Sequence, residues 1–186
     1  MDKKKKIPFG LDKRTWHPSP LIGQIVLVTT VNEDGSSNVA PKSWISMMAF
    51  EPPIVALGCN FQHTTARNIL RQGELVVNVP GAELAEVVWR SCELPHPRPV
   101  EAAGLTAIPA LKVAPPRIEE CIAHLECVHD HHVSYGEEVI ILGKIVAVSI
   151  DEQSLEVPDA YEYLQLFAFL EADTFGVIER GQHIYE

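Results

Sequence analysis

Short apolar runs separated by turn residues recur along this chain, and they predict an antiparallel β fold. Residues 21–31 are rich in Val, Leu, Ile and Thr, as strands are, and the Asp-Gly turn that follows predicts a hairpin with a returning strand over residues 38–50. The meandering order of the strands argues against a doubly wound parallel sheet and predicts a mainly β antiparallel barrel. Further strands are predicted over residues 54–58, 74–79, 117–128, 138–150 and 174–180.

A change from strand to helical spacing marks residues 62–72. Ala66, Ile69 and Leu70 form one apolar face, and Gly73 suits the C-terminal end of a helix. Two more peripheral helices are predicted over residues 84–92 and 160–170. The proline-rich stretch 95–116 is predicted to be irregular, with one helical turn near residues 100–104. The histidine-rich segment between the two long strands is predicted to be a bend.

The length of 186 residues fits one domain over residues 20–186, preceded by a basic arm over residues 1–19. Within the domain we expect a core over residues 20–150 and a C-terminal extension over residues 151–186. No apolar stretch is long enough for a membrane span, and the N-terminal lysines precede no apolar signal region, so we expect no membrane association. We expect a cytoplasmic protein with reduced cysteines, since the four cysteines show no CxxC spacing.

The net charge of -10 is unevenly distributed and limits the kinds of ligand. Six of the fifteen basic residues lie in the first 14 positions, so the remaining chain has nine basic and 23 acidic side chains. A body this acidic binds nucleic acid poorly. We therefore expect no nucleic-acid partner, and any bound anion must be held by a few local donors.

A lysine, an aromatic residue and a hydroxyl alternate along the predicted second strand. With the two-residue period of a strand, Lys42, Trp44 and Ser46 share one face, which could hold a planar ring and a phosphate. The alternative is an ordinary barrel surface with Lys42 in water and Trp44 packed.

The segment that leads into the first predicted helix has the chemistry of a phosphate site. A helix N-terminus presents unpaired N–H groups, and Thr64, Thr65 and Arg67 add further donors. The alternative is a capped helix with a surface arginine. The chain has neither the P-loop nor the Rossmann glycine pattern.

Histidines and cysteines cluster later in the chain, but their spacing fits no standard zinc pattern. A polar bend with one or two functional histidines is favoured over a metal cluster, and no metal is predicted. A buried structural role is favoured over a nucleophilic one for Cys59. The cluster consists of His124, His129, Asp130, His131 and His132, with Cys121 and Cys127 nearby.

Several segments together resemble the flavin reductase-like, FMN-binding split-barrel family, and the likeness is closest to its flavoredoxin branch. The resemblance spans roughly residues 20–150, and the combination of its motifs is more specific than any one of them. The segments are Asn-Val-Ala-Pro-Lys-Ser (38–43), Glu-Pro-Pro-Ile-Val-Ala (51–56), His-Thr-Thr-Ala-Arg-Asn-Ile (63–69), Gly-Glu-Leu-Val-Val-Asn-Val-Pro (73–80), Glu-Ala-Ala-Gly-Leu (101–105), Pro-Pro-Arg-Ile (115–118) and His-Leu-Glu-Cys (124–127).

The resemblance implies a six-stranded split β-barrel that binds FMN non-covalently, as a homodimer with the flavin near the subunit interface. It assigns the strand over residues 40–46 to the flavin ring, residues 58–60 to the ribityl chain and residues 63–68 to the phosphate. His131 or His132 would lie on the nicotinamide side, as candidate catalytic residues. The implied cofactor-binding residues are Asn38, Ala40, Lys42, Ser43, Trp44, Ser46, Gly58, Cys59, Asn60, His63, Thr64, Thr65, Arg67 and Asn68.

Three functions remain open from the sequence. The first is a flavin reductase that takes a hydride from NADH or NADPH, with Lys42 as a positive group beside the flavin ring. The second is a flavoredoxin-like electron carrier whose tightly bound FMN is reduced by a redox partner protein. The third is a non-flavin haem- or metal-binding module that uses the histidines at positions 129–132.

Overall fold

The computed structural model describes residues 21–157, 160–171 and 174–179. The predicted arm over residues 1–19 lies outside the described residues, as does the end of the predicted last strand. The helices are α1 (Thr64–Gln72), α2 (Ala85–Ser91), α3 (Gln153–Glu156) and α4 (Ala160–Leu164). The strands are β1 (Gly23–Gln24), β2 (Val26–Val31), β3 (Ser37–Lys42), β4 (Ile45–Phe50), β5 (Pro53–Asn60), β6 (Glu74–Val79), β7 (Ala107–Ile108), β8 (Arg117–Ile118), β9 (Ala123–Tyr135), β10 (Glu138–Ile150), β11 (Phe167–Glu171) and β12 (Thr174–Val177).

Seven of these strands form one antiparallel sheet in the order β3-β2-β6-β9-β10-β5-β4. The two edge strands, β3 and β4, are consecutive in the chain and are joined only by Ser43 and Trp44. Three residue steps span at most about 11 Å, so the two edges of the sheet must approach each other at this point. The mainly β antiparallel split barrel predicted from the sequence is confirmed.

Two apolar clusters lie on opposite sides of the barrel wall. The inner cluster fills the barrel and includes Val28, Leu57, Leu75 and Ile141. The outer cluster lies between the β2–β3 hairpin, α2 and the C-terminal extension, where Phe167 is fully buried. Burial of apolar surface is the main stabilising term in folding, so the extension is part of the domain's core.

Several predicted elements differ from the structure. The predicted strand over residues 117–128 stops at Ile118 and resumes at Ala123, which gives β8 and β9. The predicted strand over residues 21–31 is divided at Ile25 into β1 and β2. The strand over residues 38–50 breaks at Ser43 and Trp44 into β3 and β4, which makes the sheet seven-stranded rather than six-stranded. The predicted bend at His129–His132 is part of β9, with a bulge at Asp130, and the turn comes later at Gly136. The predicted helix over residues 160–170 ends at Leu164, and its second half is β11.

A buried polar network fastens the proline-rich excursion to the barrel, and we call it the Asn78 network. Asn78 Nδ2 donates to the Leu27 carbonyl at 3.0 Å, and its Oδ1 accepts from the Ile118 N–H at 2.9 Å. His124 Nε2 lies 2.8 Å from the Ile118 carbonyl. The carboxylate of Glu126 accepts N–H bonds from residues 111 and 112. Buried polar groups are costly unless paired, and these pairings fix residues 111, 112 and 118.

None of the helices among the described residues is long and apolar enough to cross a membrane.

Candidate cofactor site

Basic and imidazole side chains from three separate segments converge beside the first turn of α1. They are Lys42 from the end of β3, Arg67 from α1, and His96 and Arg98 from the loop after α2, with His63 at the helix start. We call these five residues the cationic corner. Three of the nine basic residues beyond position 14 are in it. The local concentration of donors that an acidic body needs to hold an anion is therefore present here.

The transition from β5 to α1 sets the shape of the corner. Asn60 ends β5 with its Oδ1 accepting the Gln62 N–H at 2.8 Å and its carbonyl accepting the His63 N–H at 3.0 Å. His63 is the N-cap residue, and its side chain makes no capping bond. The helix ends at Gly73 in the left-handed conformation, as predicted. The first turn of α1 is therefore held in place by the turn before it.

Lys42, His63 and Cys59 meet at the entrance to the barrel interior. Lys42 Nζ lies 3.3 Å from His63 Nδ1, and since an ammonium only donates, that nitrogen accepts. Cys59 Sγ lies 3.5 Å from the same nitrogen. Burial raises the pKa of the Cys59 thiol, although Lys42 opposes the shift. The thiol is therefore kept protonated, in agreement with the structural role predicted for it.

Thr64 links the helix to the loop after α2. Arg67 Nη2 donates to Thr64 Oγ1 at 3.3 Å, and Thr64 Oγ1 lies 3.3 Å from His96 Nδ1. Burial lowers the pKa of His96, and the charges of Arg98, Arg67 and Lys42 lower it further. Burial and the three neighbouring cations therefore all disfavour the protonated form of His96.

The loop that carries His96 is held against β3. The Val39 N–H donates to the Arg98 carbonyl at 2.8 Å, and Val100 N–H donates to Ser37 Oγ at 3.1 Å. The Arg98 side chain donates at 2.7 Å to both the Leu94 and the Cys92 carbonyls. These bonds place His96 beside α1, although His96 is 32 residues from Thr64 in sequence.

Trp44 and Gly58 lie face to face on the outer side of the barrel. Gly58 N–H donates to the Trp44 carbonyl at 2.8 Å. A Cβ on Gly58 would come 3.1 Å from Cε3 of the Trp44 ring, so a side chain there would push the ring away. Trp44 is 66% exposed, and Ser46 on β4 is exposed as well. The alternation of Lys42, Trp44 and Ser46 along one continuous strand face was wrong, because β3 ends at Lys42.

Five of the predicted cofactor-binding residues are buried. Asn68 Nδ2 donates to Thr30 Oγ1 at 3.0 Å and to Asn32 Oδ1 at 2.9 Å. Asn38 Nδ2 donates to the same Thr30 hydroxyl at 3.3 Å, and its Oδ1 has no hydrogen-bond partner among the described residues. These side chains support the corner from behind, and their contact with a cofactor stays a prediction. The five are Asn38, Ala40, Cys59, Thr65 and Asn68.

An apolar cavity of about 250 Å³ adjoins the corner and shares Lys42 with it. It lies between β3, α2 and the C-terminal strands. Its aromatic walls are Trp89, Phe169 and Phe175, and Ser43 lies at its polar side. The cavity exceeds the roughly 150 Å³ that accommodates a benzene molecule but is too small for a whole nucleotide.

The register of the sheet separates the two candidate catalytic histidines. His131 pairs with Leu142, Leu142 with Ala56, and Ala56 with Ser46, so His131 and Ser46 share a row. Three strand spacings put them about 14 Å apart on the outer face. His132 points to the opposite face, where its Nδ1 lies 3.3 Å from His129 Nε2. The bulge at Asp130 allows this contact, since residues three apart in a regular strand face opposite sides.

Metal-ligating side chains do not converge in this way in the part of the chain that the structure describes. No set of three or more His, Cys, Asp or Glu side chains there could hold one ion. Burial lowers the pKa of His129, and its neighbours His132 and His131 lower it further.

The donor set of the corner fits a phosphorylated cofactor. Ammonium, guanidinium, imidazole and hydroxyl groups are the ordinary ligands of phosphate. The apolar cavity and the Trp44 surface lie on either side of Ser43, so a planar ring system could extend from the corner in contact with apolar surface. The residues present therefore fit a flavin mononucleotide.

Residues 19–165 match the model of the flavin reductase like domain. An uncharacterized protein of Aquifex aeolicus is 32% identical over 139 residues, which is 67% of this chain and 70% of that protein. The chain belongs to the flavin reductase-like family.

Two solved structures share the fold. The component B of nitrilotriacetate monooxygenase from Bacillus cereus superposes with a TM-score of 0.86 at 19% identity, over 98% of this chain and 100% of that chain. The flavoredoxin of Desulfovibrio vulgaris superposes with a TM-score of 0.80 at 18% identity, over 95% and 96%. Both have the fold of this chain, so the flavoredoxin branch expected from the sequence is not distinguished from the rest of the family.

Sequence reasoning missed His96, Arg98 and the aromatic residues Trp89 and Phe169. The first two lie in the stretch predicted to be irregular, where periodicity carries no information. The charge distribution could have indicated Arg98, because so few basic residues occur beyond position 14.

Proposed function

We propose that this protein is an FMN-binding oxidoreductase of the flavin reductase type, with NADH or NADPH as electron donor. The observation that carries the proposal is the junction at Lys42, where the cationic corner meets an apolar, aromatic cavity. A ligand that suits this junction is an anion joined to a planar apolar ring. Membership of the flavin reductase-like family supports the choice of FMN.

The corner would hold the phosphate, and residues 42–46 would lie along the ring. Arg67 and Thr64 would donate to phosphate oxygens, and Lys42 would place a positive charge between the phosphate and the ring. Gly58 would leave room for the ribityl chain beside Trp44, because a Cβ at this position would lie 3.1 Å from the indole Cε3 and the ring would have to shift slightly. Each of these side chains binds or orients the cofactor.

Bound FMN would supply the redox chemistry by accepting a hydride from a nicotinamide nucleotide. The protein would bind and orient both partners and keep the reacting groups out of bulk water. His131 would face the nicotinamide, since it lies on the same outer face as Trp44 and Ser46. His132 is the weaker candidate, because its ring faces His129.

We propose a homodimer whose interface is formed by the exposed apolar side chains on and beside β4 and β10. Exposed apolar side chains are concentrated there, which is unusual for a monomer surface. Light scattering at micromolar concentration tests this, and a monomer would contradict it. The exposed residues are Trp44 just before β4, Met47, Met48 and Phe50 on β4, and Ile140, Val146, Val148 and Ile150 on β10.

Anaerobic reduction of the FMN-loaded protein tests the proposed activity. Addition of NADH or NADPH should bleach the flavin absorbance near its visible maximum within the mixing time of a stopped-flow experiment or soon after. If neither nucleotide bleaches bound FMN while a chemical reductant does, the protein is an electron carrier served by a redox partner protein. Failure to bind FMN at all would overturn the proposal.

A further inference from the structure

His96 stands out in the cationic corner because its surroundings oppose its own charge. Lys42 reaches it from the end of β3, Arg67 from α1 and Arg98 from its own loop. Burial raises the pKa of the Cys92 thiol, and the carboxylate of Glu93, on the same loop, also raises it. The corner is thus built from cations with a neutral imidazole among them, an arrangement that an arriving anion would change.

We propose that His96 is a proton-linked ligand of the flavin phosphate, which takes up one proton from solvent when a phosphate monoester dianion enters the corner. The inference rests on the proposed function, because it assigns the pH response of the same site. It goes beyond that function by naming a residue and a specificity: a dianionic monoester is favoured over a flavin that lacks the phosphate.

The hydrogen-bond chain through Thr64 supplies the geometry. Arg67 donates to Thr64 Oγ1, and with neutral His96 the Thr64 hydroxyl donates to His96 Nδ1. When His96 is protonated, its Nδ1–H donates to Thr64 Oγ1 instead. The Thr64 O–H can then rotate and donate a hydrogen bond to a phosphate oxygen. One proton entering the site therefore adds both a charge and a donor for the phosphate.

The electrostatics of the corner set the direction of the effect. The pKa of His96 is lowered by burial and by the neighbouring cations, and a dianion would reverse the influence of those cations. A group whose pKa rises on binding takes up a proton, and affinity then falls as pH rises. A phosphate monoester has a second pKa of about 6, so FMN is mainly the dianion above about pH 6.5.

Calorimetric titration with FMN and with riboflavin between pH 6.5 and 8.5 tests the proposal. For the native protein, Kd for FMN should rise with pH by as much as about tenfold per unit, the limit for uptake of one proton. Titrations in buffers of different ionisation enthalpy should show proton uptake with FMN. Riboflavin should bind more weakly, with no dependence on pH.

His96→Gln is the decisive variant, because glutamine keeps a hydrogen-bonding group near Thr64 but cannot be protonated. It should bind FMN with a Kd that does not change over this pH range. His129→Gln, the same change at a histidine outside the corner, should keep the native pH dependence. An unaltered slope in His96→Gln, or the same slope with riboflavin, would overturn the inference and leave FMN binding intact.

A native protein that binds no FMN would overturn the proposed function itself, so the two failures are distinguishable. If His96→Gln does not fold, the proton count of the native protein decides alone. Uptake with FMN but not riboflavin supports the inference, and no uptake with FMN overturns it.

Discussion

Two polar regions of this molecule, the Asn78 network and the cationic corner, use similar side chains in opposite ways. In the Asn78 network, donors meet acceptors in the interior: Asn78 with Leu27 and Ile118, and Glu126 with two backbone N–H groups. In the corner, cations face other cations. The Asn78 network is buried and pairs side chains with backbone groups, whereas the corner places three cations around one imidazole.

The comparison also explains why the corner is tolerated energetically. Exposed like charges repel only weakly in water, because solvent screens them. The same arrangement inside the barrel would be strongly destabilising. We therefore expect changes in the Asn78 network to affect stability, and changes in the corner to affect ligand affinity.

The largest effect is expected for Asn78→Ala. The substitution leaves the buried Ile118 N–H without its acceptor and removes the donor to the Leu27 carbonyl. Since each unsatisfied buried group costs about 1–3 kcal/mol, the free energy of unfolding should fall by roughly 2–4 kcal/mol. Urea unfolding measures the loss. FMN affinity of the folded variant should be unchanged, and a variant of native stability would contradict this role of Asn78.

Arg67→Ala should lower FMN affinity and leave stability nearly unchanged, in contrast to Asn78→Ala. Loss of a charge-assisted bond to the phosphate should weaken FMN binding by about 1.5–3 kcal/mol, or roughly 10- to 150-fold in Kd. Because Arg67 is exposed, the unfolding midpoint should hardly move. Arg71→Ala is the matched control on the same helix, since Arg71 donates to the Val31 carbonyl. Equal FMN affinity in the two variants would remove Arg67 from the site.

Thr64→Val should produce a smaller loss of FMN affinity, of about 0.5–1.5 kcal/mol, the scale of one neutral hydrogen bond. The hydroxyl is the link between Arg67 and His96, whereas the shape of the side chain is nearly preserved. Thermal melts of the flavin-free variant provide the second measurement. If they show a loss of stability as large as the loss of affinity, Thr64 serves the helix and not the ligand.

The smallest effect is expected from the titration of His124. Burial lowers the pKa of this residue, although its bond to the Ile118 carbonyl opposes the shift. In the unfolded chain the pKa of His124 is about 6.5, so below that pH His124 binds more protons in the unfolded chain than in the folded chain. Stability should therefore be complete above about pH 6.5 and fall as pH drops toward the lower folded pKa. Unfolding of His124→Gln should depend less on pH in this window, and an unchanged dependence would contradict the prediction.

The positions of the central strands follow from local pattern, and the sequence predicts them well. Strands β6 and β10 have the predicted bounds, and β5 matches closely, because apolar residues and turn residues decide them locally. Strand β2 covers only the second half of the predicted strand over residues 21–31. The break between β3 and β4 was not predictable in the same way. It is imposed by barrel closure, in which consecutive strands must reach opposite edges of one sheet.

The candidate site likewise combines residues that local sequence motifs predict with residues that only tertiary contacts bring in. Lys42, His63, Thr64 and Arg67 lie on regular elements with recognisable motifs, and the structure brings them together. His96 reaches them only because a long-range bond from Val39 to Arg98 holds its loop on β3. The pairing of His132 with His129 likewise depends on a single bulge that no periodicity shows. Contacts set by such tertiary features lie beyond local sequence reasoning.

Comparison of FMN with riboflavin binding at pH 7 tests the central claim most directly. If the cationic corner exists to hold a phosphate, quenching of flavin fluorescence should show FMN binding at least about tenfold more tightly than riboflavin, the difference that one charge-assisted contact provides. Equal affinities for the two flavins, or no binding of either, would contradict the account.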